Sequence, residues 1–296
     1  MTDDGASYSS PKQLLAARGL HVRKRLGQNF LVDPRFAARV ADALPADAFV
    51  VEIGAGTGSL TAALAQRARR VATLEIDKGL AAIVRERFAD VGDVTLIEGD
   101  ALEFDFAGVL RSESAPRAVC GNLPYYITTP LIEKILDAVD FWESAVLMVQ
   151  REYARRLTAA PGTPDYSSLT VFVGYHCSVE KIFDVGAAGF YPAPTVSSAV
   201  VRLTPRADRT AGIDDERVLF KTIRAAFSQR RKTLANCIVA AVRAKSEDGQ
   251  DERLRSSVEH AIAAARLEPQ IRGERLSLDD FKRLANALVT ERIDIV

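Results

Sequence analysis

Cysteine and histidine are scarce in this sequence. Its 296 residues hold three cysteines (Cys120, Cys177, Cys237) more than fifty residues apart and three histidines (His21, His176, His260) equally dispersed, with no CxxC and no CxxH. An odd, dispersed cysteine set excludes a disulfide framework and a thiolate zinc site, and the histidines provide no substitute, so no metal is expected. A reducing, cytoplasmic setting follows. No run of about 18 apolar residues is present, which excludes a membrane-spanning helix. The polar, acidic residues 1–10 offer no apolar stretch to serve as a secretory signal. Nothing calls for more than a monomer.

An excess of charge of either sign is also missing, with 39 basic residues against 39 acidic ones. At 48% hydrophobic and 26% charged residues, the chain is globular rather than disordered or fibrous. Its length suits one large domain plus a smaller one. The zero balance conceals a segregated layout. Eight basic residues and no acid lie between Arg217 and Lys245. Arg18, Arg23, Lys24 and Arg25 form a second acid-free cluster, whereas acids outnumber bases after Ser246. A phosphate backbone responds to such local potential rather than to the average.

Short β-branched runs predict strands at Phe49–Ile53, Arg70–Ile76, Val94–Ile97, Ala118–Cys120, Ala145–Val149, Leu169–Val173 and Ala199–Leu203. Helical patterns at Asp33–Leu44, Leu60–Arg69, Lys78–Phe88 and Pro130–Val139 separate the earlier ones. Strands alternating with helices specify βαβ units and a mainly parallel sheet covered on both faces. The last two strands have no comparable helix between them, so that end of the sheet is expected to be antiparallel. Residues 204–215 read as a polar linker, and everything beyond reads as helix. Ser277 and Asp280, ahead of Phe281, Leu284 and Leu288, form a capping-box start to the last helix.

Three motifs carry the chemistry. Val51-Glu52-Ile53-Gly54-Ala55-Gly56-Thr57-Gly58 joins a strand to a helix, where glycines permit a tight turn and close ligand approach. Glu75 ends the next strand, placed to hold a ribose hydroxyl pair, which suits a dinucleotide or S-adenosylmethionine. Ser59 occupies the last glycine position of the dinucleotide pattern, and a second carboxylate, Asp100, ends the third strand. These two details favour S-adenosylmethionine. The fourth strand ends Asn122-Leu123-Pro124-Tyr125-Tyr126. A planar ring amine is a poor nucleophile because its lone pair is delocalised. Acceptors on its two N–H groups favour the tetrahedral geometry that attacks a methyl sulfonium. The Asn122 oxygen and a carbonyl near Leu123 or Pro124 supply such acceptors, and Tyr125 offers a face for an extruded base.

With these residues the chain resembles the ribosomal RNA adenine dimethyltransferases, and most closely the bacterial small-subunit branch. The resemblance runs from about Arg23 to Leu288 and includes Leu26-Gly27-Gln28-Asn29-Phe30-Leu31, Glu75-Ile76-Asp77, Gly99-Asp100-Ala101, the stretch from Phe190 to Ser198, and Gln229-Arg230-Arg231-Lys232-Thr233-Leu234. It implies a Rossmann-like, class I S-adenosylmethionine-dependent α/β methyltransferase sheet with helices on both faces, plus a small all-α C-terminal domain. The implied division is a flexible N-terminal arm (1–21), the methyltransferase domain (22–206) and a helical RNA-recognition domain (207–296). By resemblance, Gln28, Asn29, Leu31, Gly54, Gly56, Glu75, Ile76, Asp100, Ala101 and Asn122 bind the cofactor. Asn122, Leu123, Pro124, Tyr125 and Phe190 form the reacting centre, with Tyr125 and Phe190 sandwiching the target adenine. Arg23, Lys24, Arg25, Arg224, Arg230, Arg231 and Lys232 face RNA of the small subunit. The implied reaction gives dimethyladenosine at two adjacent positions near the 3′ end of 16S rRNA. A large-subunit methyltransferase, or an assembly factor with secondary activity, would share much of this pattern. One departure stands out: Ser167 occupies a position where the family has glycine, which puts the local loop shape in question.

Overall fold

The computed structural model describes residues 10–243 and 251–295. Two compact units emerge, one formed by residues 1–154 and 179–205, the other by 155–178 and 206–296. In the first, the chain runs through α1 (Pro11–Ala17), β1 (Phe30–Leu31), α2 (Pro34–Asp42), β2 (Phe49–Ile53), α3 (Ser59–Ala65), β3 (Arg70–Glu75), α4 (Lys78–Arg87) and β4 (Val94–Glu98). It continues with α5 (Phe106–Arg111), β5 (Arg117–Asn122), α6 (Thr128–Leu136), β6 (Ser144–Gln150) and α7 (Arg151–Leu157), whose last three residues count with the second unit. After α8 (Ser168–His176), which belongs to the second unit, come β7 (Cys177–Val185), β8 (Phe190–Tyr191) and β9 (Ser198–Pro205).

Seven strands form one sheet in the order β4-β3-β2-β5-β6-β9-β7. The pairs from β4 to β6 are parallel, and β9 joins β6 antiparallel, with Ala145 opposite Leu203 and Gln150 opposite Ser198. Every residue of β2 is buried, as a central parallel strand requires. The winding runs outward from β2 through β3 to β4, then reverses and runs from β5 to β6. Right-handed crossovers therefore place helices on opposite faces, and the reversal between β2 and β5 is a topological switch point, where open α/β sheets bind ligands. The core under α2 and α3 gathers Val40, Leu44, Leu60, Leu64, Phe183 and Val200.

Two expectations are corrected. The supposed arm over 1–21 contains α1, opened by a capping box in which Ser10 and Gln13 cap each other. Leu15 of α1 is 4% exposed and packs with Phe30, Leu80 and Ile83, a burial worth about 2 kcal/mol. Residues 1–9 lie outside the described chain. The run at Leu169–Val173 is helix α8 rather than a strand, and the antiparallel edge is built by β7 and β9 instead. A short apolar run does not by itself distinguish a buried helix from a strand. Here Thr170 decides it: its hydroxyl accepts from the Ser167 N–H (3.1 Å) and donates to the Arg156 carbonyl (2.6 Å). Ser167 sits at φ −153°, so the position demands no left-handed backbone and serine is accommodated.

The second unit is all helical, with α8 joined by α9 (Glu216–Phe227), α10 (Leu234–Arg243), α11 (Asp251–Ala264) and α12 (Leu278–Thr290). Residues 155–178 thus leave the domain to which the sequence assigns them, because Tyr166, Val171 and Tyr175 pack with Leu219, Ile223, Phe281 and Leu288. The Tyr166 hydroxyl donates to the Leu276 carbonyl (2.6 Å). The capping box of α12 is present, with the Ser277 N–H donating to Asp280 Oδ2 (2.8 Å) and the Asp280 N–H to Ser277 Oγ (3.2 Å). Cys120, Cys177 and Cys237 are free and buried. Among the described residues no helix is long and apolar enough to cross a membrane.

Candidate active site

A cavity of about 270 Å³ opens at the switch point, lined by the C-terminal ends of β2, β3, β4 and β5 and by residues 26–30. The wall at β2 follows from its glycines. After Ile53 the chain turns sharply, and the Gly54 and Ala55 N–H groups both donate to the Leu74 carbonyl (2.9 and 3.0 Å). Gly56 has φ +59°, and a Cβ there would lie 3.1 Å from the Phe30 ring. Its N–H donates to Glu75 Oε2 (2.8 Å), while Glu75 Oε1 accepts from the Asp77 N–H (2.9 Å). Glu75 thereby fixes the glycine loop and lines the cavity. Burial raises its pKa, opposed by the two N–H donors.

Glu52 lies behind the loop at full burial, between Thr73 and Cys120 in the sheet register. Its Oε2 accepts from the hydroxyls of Thr61 (2.7 Å) and Thr73 (2.6 Å), tying α3 and β3 to β2. Its Oε1 has no partner among the described residues, and burial pushes its pKa up to about 7.

The segment before β1 is clasped to the start of α4 by Asp77, which sequence reasoning had not assigned. Asp77 Oδ1 caps α4 through the Gly79 and Leu80 N–H groups (2.9 and 3.4 Å). Its Oδ2 accepts from Gln28 Nε2 (3.2 Å) and pairs with Arg23 Nε (3.2 Å), and Gln28 Oε1 accepts from the Arg23 N–H (2.7 Å). The N-cap pattern of an Asp ahead of Lys78-Gly79-Leu80 was the available signal. On the far wall, Asp100 Oδ1 accepts from the Leu102 N–H (2.9 Å).

At the end of β5, Asn122 Nδ2 donates to the Asn29 carbonyl (2.8 Å), and Asn29 Nδ2 donates to the Gly27 carbonyl (3.0 Å). With its nitrogen committed, Asn122 retains Oδ1 as an acceptor. The Tyr125 hydroxyl is 2.7 Å from Ser198 Oγ, and burial raises its pKa. The Pro124 carbonyl is taken by the Ile127 N–H (3.2 Å) and Thr128 Oγ1 (3.1 Å).

The structure thus brings Gln28, Asn29, Gly54, Gly56, Glu75, Ile76, Asp100, Ala101, Asn122, Leu123, Pro124 and Tyr125 around one cavity. It does not bring Leu31 or Phe190 there. They pair across β1 and β8, are 6% and 4% exposed, and pack in the core with Val40 and Phe183. Strand alternation is the reason: it turns Phe30 to the cavity and Leu31 to the opposite side. Phe30 is therefore the aromatic wall that sequence reasoning missed.

The basic residues divide. Arg25, Arg224, Arg231 and Lys232 are exposed. Arg230 is exposed too, yet its guanidinium is engaged, with Nη2 donating to the Pro164 and Tyr166 carbonyls (2.8 and 3.2 Å) and Nε 3.7 Å from Glu274. Arg23 is held by Asp77 with its side chain 47% exposed. The side chain of Lys24 lies outside the described residues.

Residues 19–260 match the model of the ribosomal RNA adenine dimethylase family. The chain belongs to that family. A curated relative, ribosomal RNA small subunit methyltransferase A of Geobacillus thermodenitrificans, is 40% identical over 294 residues, covering 98% of each chain. Among solved structures, a dimethyladenosine transferase from Plasmodium falciparum superposes with a TM-score of 0.75 at 26% identity, over 90% of this chain and 100% of that one. The 23S rRNA methyltransferase ErmE gives 0.66 at 27% identity, over 88% and 100%. The fold is that of class I rRNA methyltransferases, and the chain is an rRNA adenine dimethyltransferase of this family.

Proposed function

We propose that the chain transfers methyl groups from S-adenosylmethionine to the exocyclic amines of two adjacent adenosines near the 3′ end of 16S rRNA, giving N6,N6-dimethyladenosine. The supporting observation is the committed Asn122 amide. With Nδ2 donating to Asn29, Oδ1 is left to accept from the adenine amine. Because the Pro124 carbonyl already has two donors, the second acceptor is the Leu123 carbonyl. In the first transfer two preorganised acceptors hold the amine tetrahedral with its lone pair free of the ring; the second transfer has one N–H left to hold, and each methylation releases one proton to water. Tyr125 stacks on the base, anchored through its hydroxyl to Ser198.

The cavity suits S-adenosylmethionine. Glu75 and Asp100 offer carboxylates to hydroxyl and amine donors, and Ile76, 51% exposed, presents an apolar face for an adenine ring. When bound, S-adenosylmethionine supplies an electrophilic sulfonium methyl. The residues supply position: the glycine loop lets a ligand approach the backbone, and Asn122 orients the amine toward it. Arg25, Arg224, Arg231 and Lys232 face the phosphates of an assembling small subunit, and one chain suffices.

Tritium transfer from labelled S-adenosylmethionine to unmodified small and large subunits, followed by nucleoside analysis, tests this. Dimethyladenosine in the small subunit is the expected product. Label in the large subunit alone would assign the activity of the large-subunit branch. Asn122→Ala is expected to abolish transfer while leaving subunit binding intact.

A further inference from the structure

Five large hydrophobic side chains stand exposed among the described residues, and two of them, Ile76 and Tyr126, line the cavity. Ile76 is accounted for by the cofactor, whereas Tyr126 has no part in holding the cofactor or the target amine. It is 58% exposed, yet it is seated rather than loose. It lies in the single 3₁₀ turn Tyr125–Ile127, entered from Pro124 at φ −59°. Its ring packs on Gly27, where an added Cβ would lie 3.2 Å from Tyr126 Cδ1 and 3.6 Å from Pro124 Cβ. Gly27 also has φ +59°, so both backbone and contact there call for glycine.

An adenine drawn beside Asn122 leaves its stack, which uncovers a face of the neighbouring base and costs unstacking energy. A rigid aromatic at the cavity rim, next in sequence to the residue that holds the target, is placed to cover that face. We propose that Tyr126 is a positioning residue that stacks on the nucleobase flanking the target adenosine. In a substrate with two adjacent adenosines this base is the second adenine. The inference rests on the proposed methyl transfer to small-subunit RNA.

The test compares wild type, Tyr126→Phe, Tyr126→Trp and Tyr126→Leu on unmodified small subunits, with S-adenosylmethionine affinity and thermal midpoint measured for each. A stacked base implies that Tyr126→Leu loses roughly 5- to 150-fold in kcat/KM for the subunit. Cofactor affinity is expected to stay unchanged, and the Phe and Trp variants to retain activity because they keep a π face. Small subunits reconstituted with an abasic nucleotide beside the target should cost wild type the same factor and Tyr126→Leu nothing further, a readout that a packing role for Tyr126 would not produce. Equal kcat/KM for wild type and Tyr126→Leu overturns the inference. So does a fall in cofactor affinity that matches the loss, which would make Tyr126 a wall of the cofactor site. If wild type labels no small subunit, the parent reading fails instead, and this one with it.

Discussion

Glu52 offers a quantitative test of how the sheet supports the glycine loop. Its carboxyl is fully buried, accepts two threonine hydroxyls on Oε2 and, among the described residues, has no partner for Oε1. Burial raises its pKa from 4.5 to about 7. Below pH 4.5 the group is protonated in folded and unfolded chains alike. Between about pH 4.5 and 7 the unfolded chain is ionised while the folded one keeps its proton, so each pH unit costs the fold about 1.36 kcal/mol. The loss therefore levels off above pH 7 at about 3 kcal/mol. Glu52→Gln keeps an oxygen for Thr61 and Thr73 and carries no charge. Its stability relative to wild type is expected to rise by about 3 kcal/mol from pH 4.5 to pH 8, then hold level. Urea unfolding followed through the single tryptophan, the buried Trp142, measures this in the unit that contains Glu52. A wild-type-to-variant difference independent of pH would refute the reasoning.

Other predictions address the site. Glu75→Gln and Asp100→Ala are each expected to weaken S-adenosylmethionine binding roughly 10- to 150-fold by calorimetry, the value of a hydrogen bond to a charged group. Because burial raises the Glu75 pKa, affinity that needs its carboxylate should fall with decreasing pH from a point above 4.5, and a profile flat down to pH 4.5 would contradict this. Gly56→Ala forces a side chain to φ +59° against Phe30, so a lower thermal midpoint, by about 1–2 kcal/mol of stability, is expected. Replacing Arg231 and Lys232 together with alanine should flatten the salt dependence of subunit binding by about 1.4 in the log–log slope. Arg230→Ala should instead lower the stability of the helical unit, since its guanidinium is spent on the Pro164 and Tyr166 carbonyls.

Much of this protein was legible in its residues because the deciding interactions are local or periodic. Short β-branched runs alternating with helices specify a parallel sheet, and β2 through β6 follow that pattern, with β4 partly exposed at the sheet edge. The glycine spacing after Ile53 and the Asn122–Tyr125 motif define a chemistry through residue type and position at strand ends, which topology then gathers into one cavity. Ser277 and Asp280 cap α12 within a single turn. Tertiary structure decided what no short window holds. Leu169–Val173 is as apolar as a strand, and the Thr170 hydroxyl's bond to the Arg156 carbonyl, together with packing against α9 and α12 residues, makes it α8. Arg230 reads like its neighbours Arg231 and Lys232, yet the carbonyls it meets come from a loop more than sixty residues away. Phe190 and Phe30 are both aromatics in recognised motifs. The β1–β8 register turned one into the core and the other into the cavity, because alternate strand residues face opposite sides and only the pairing sets which side is which.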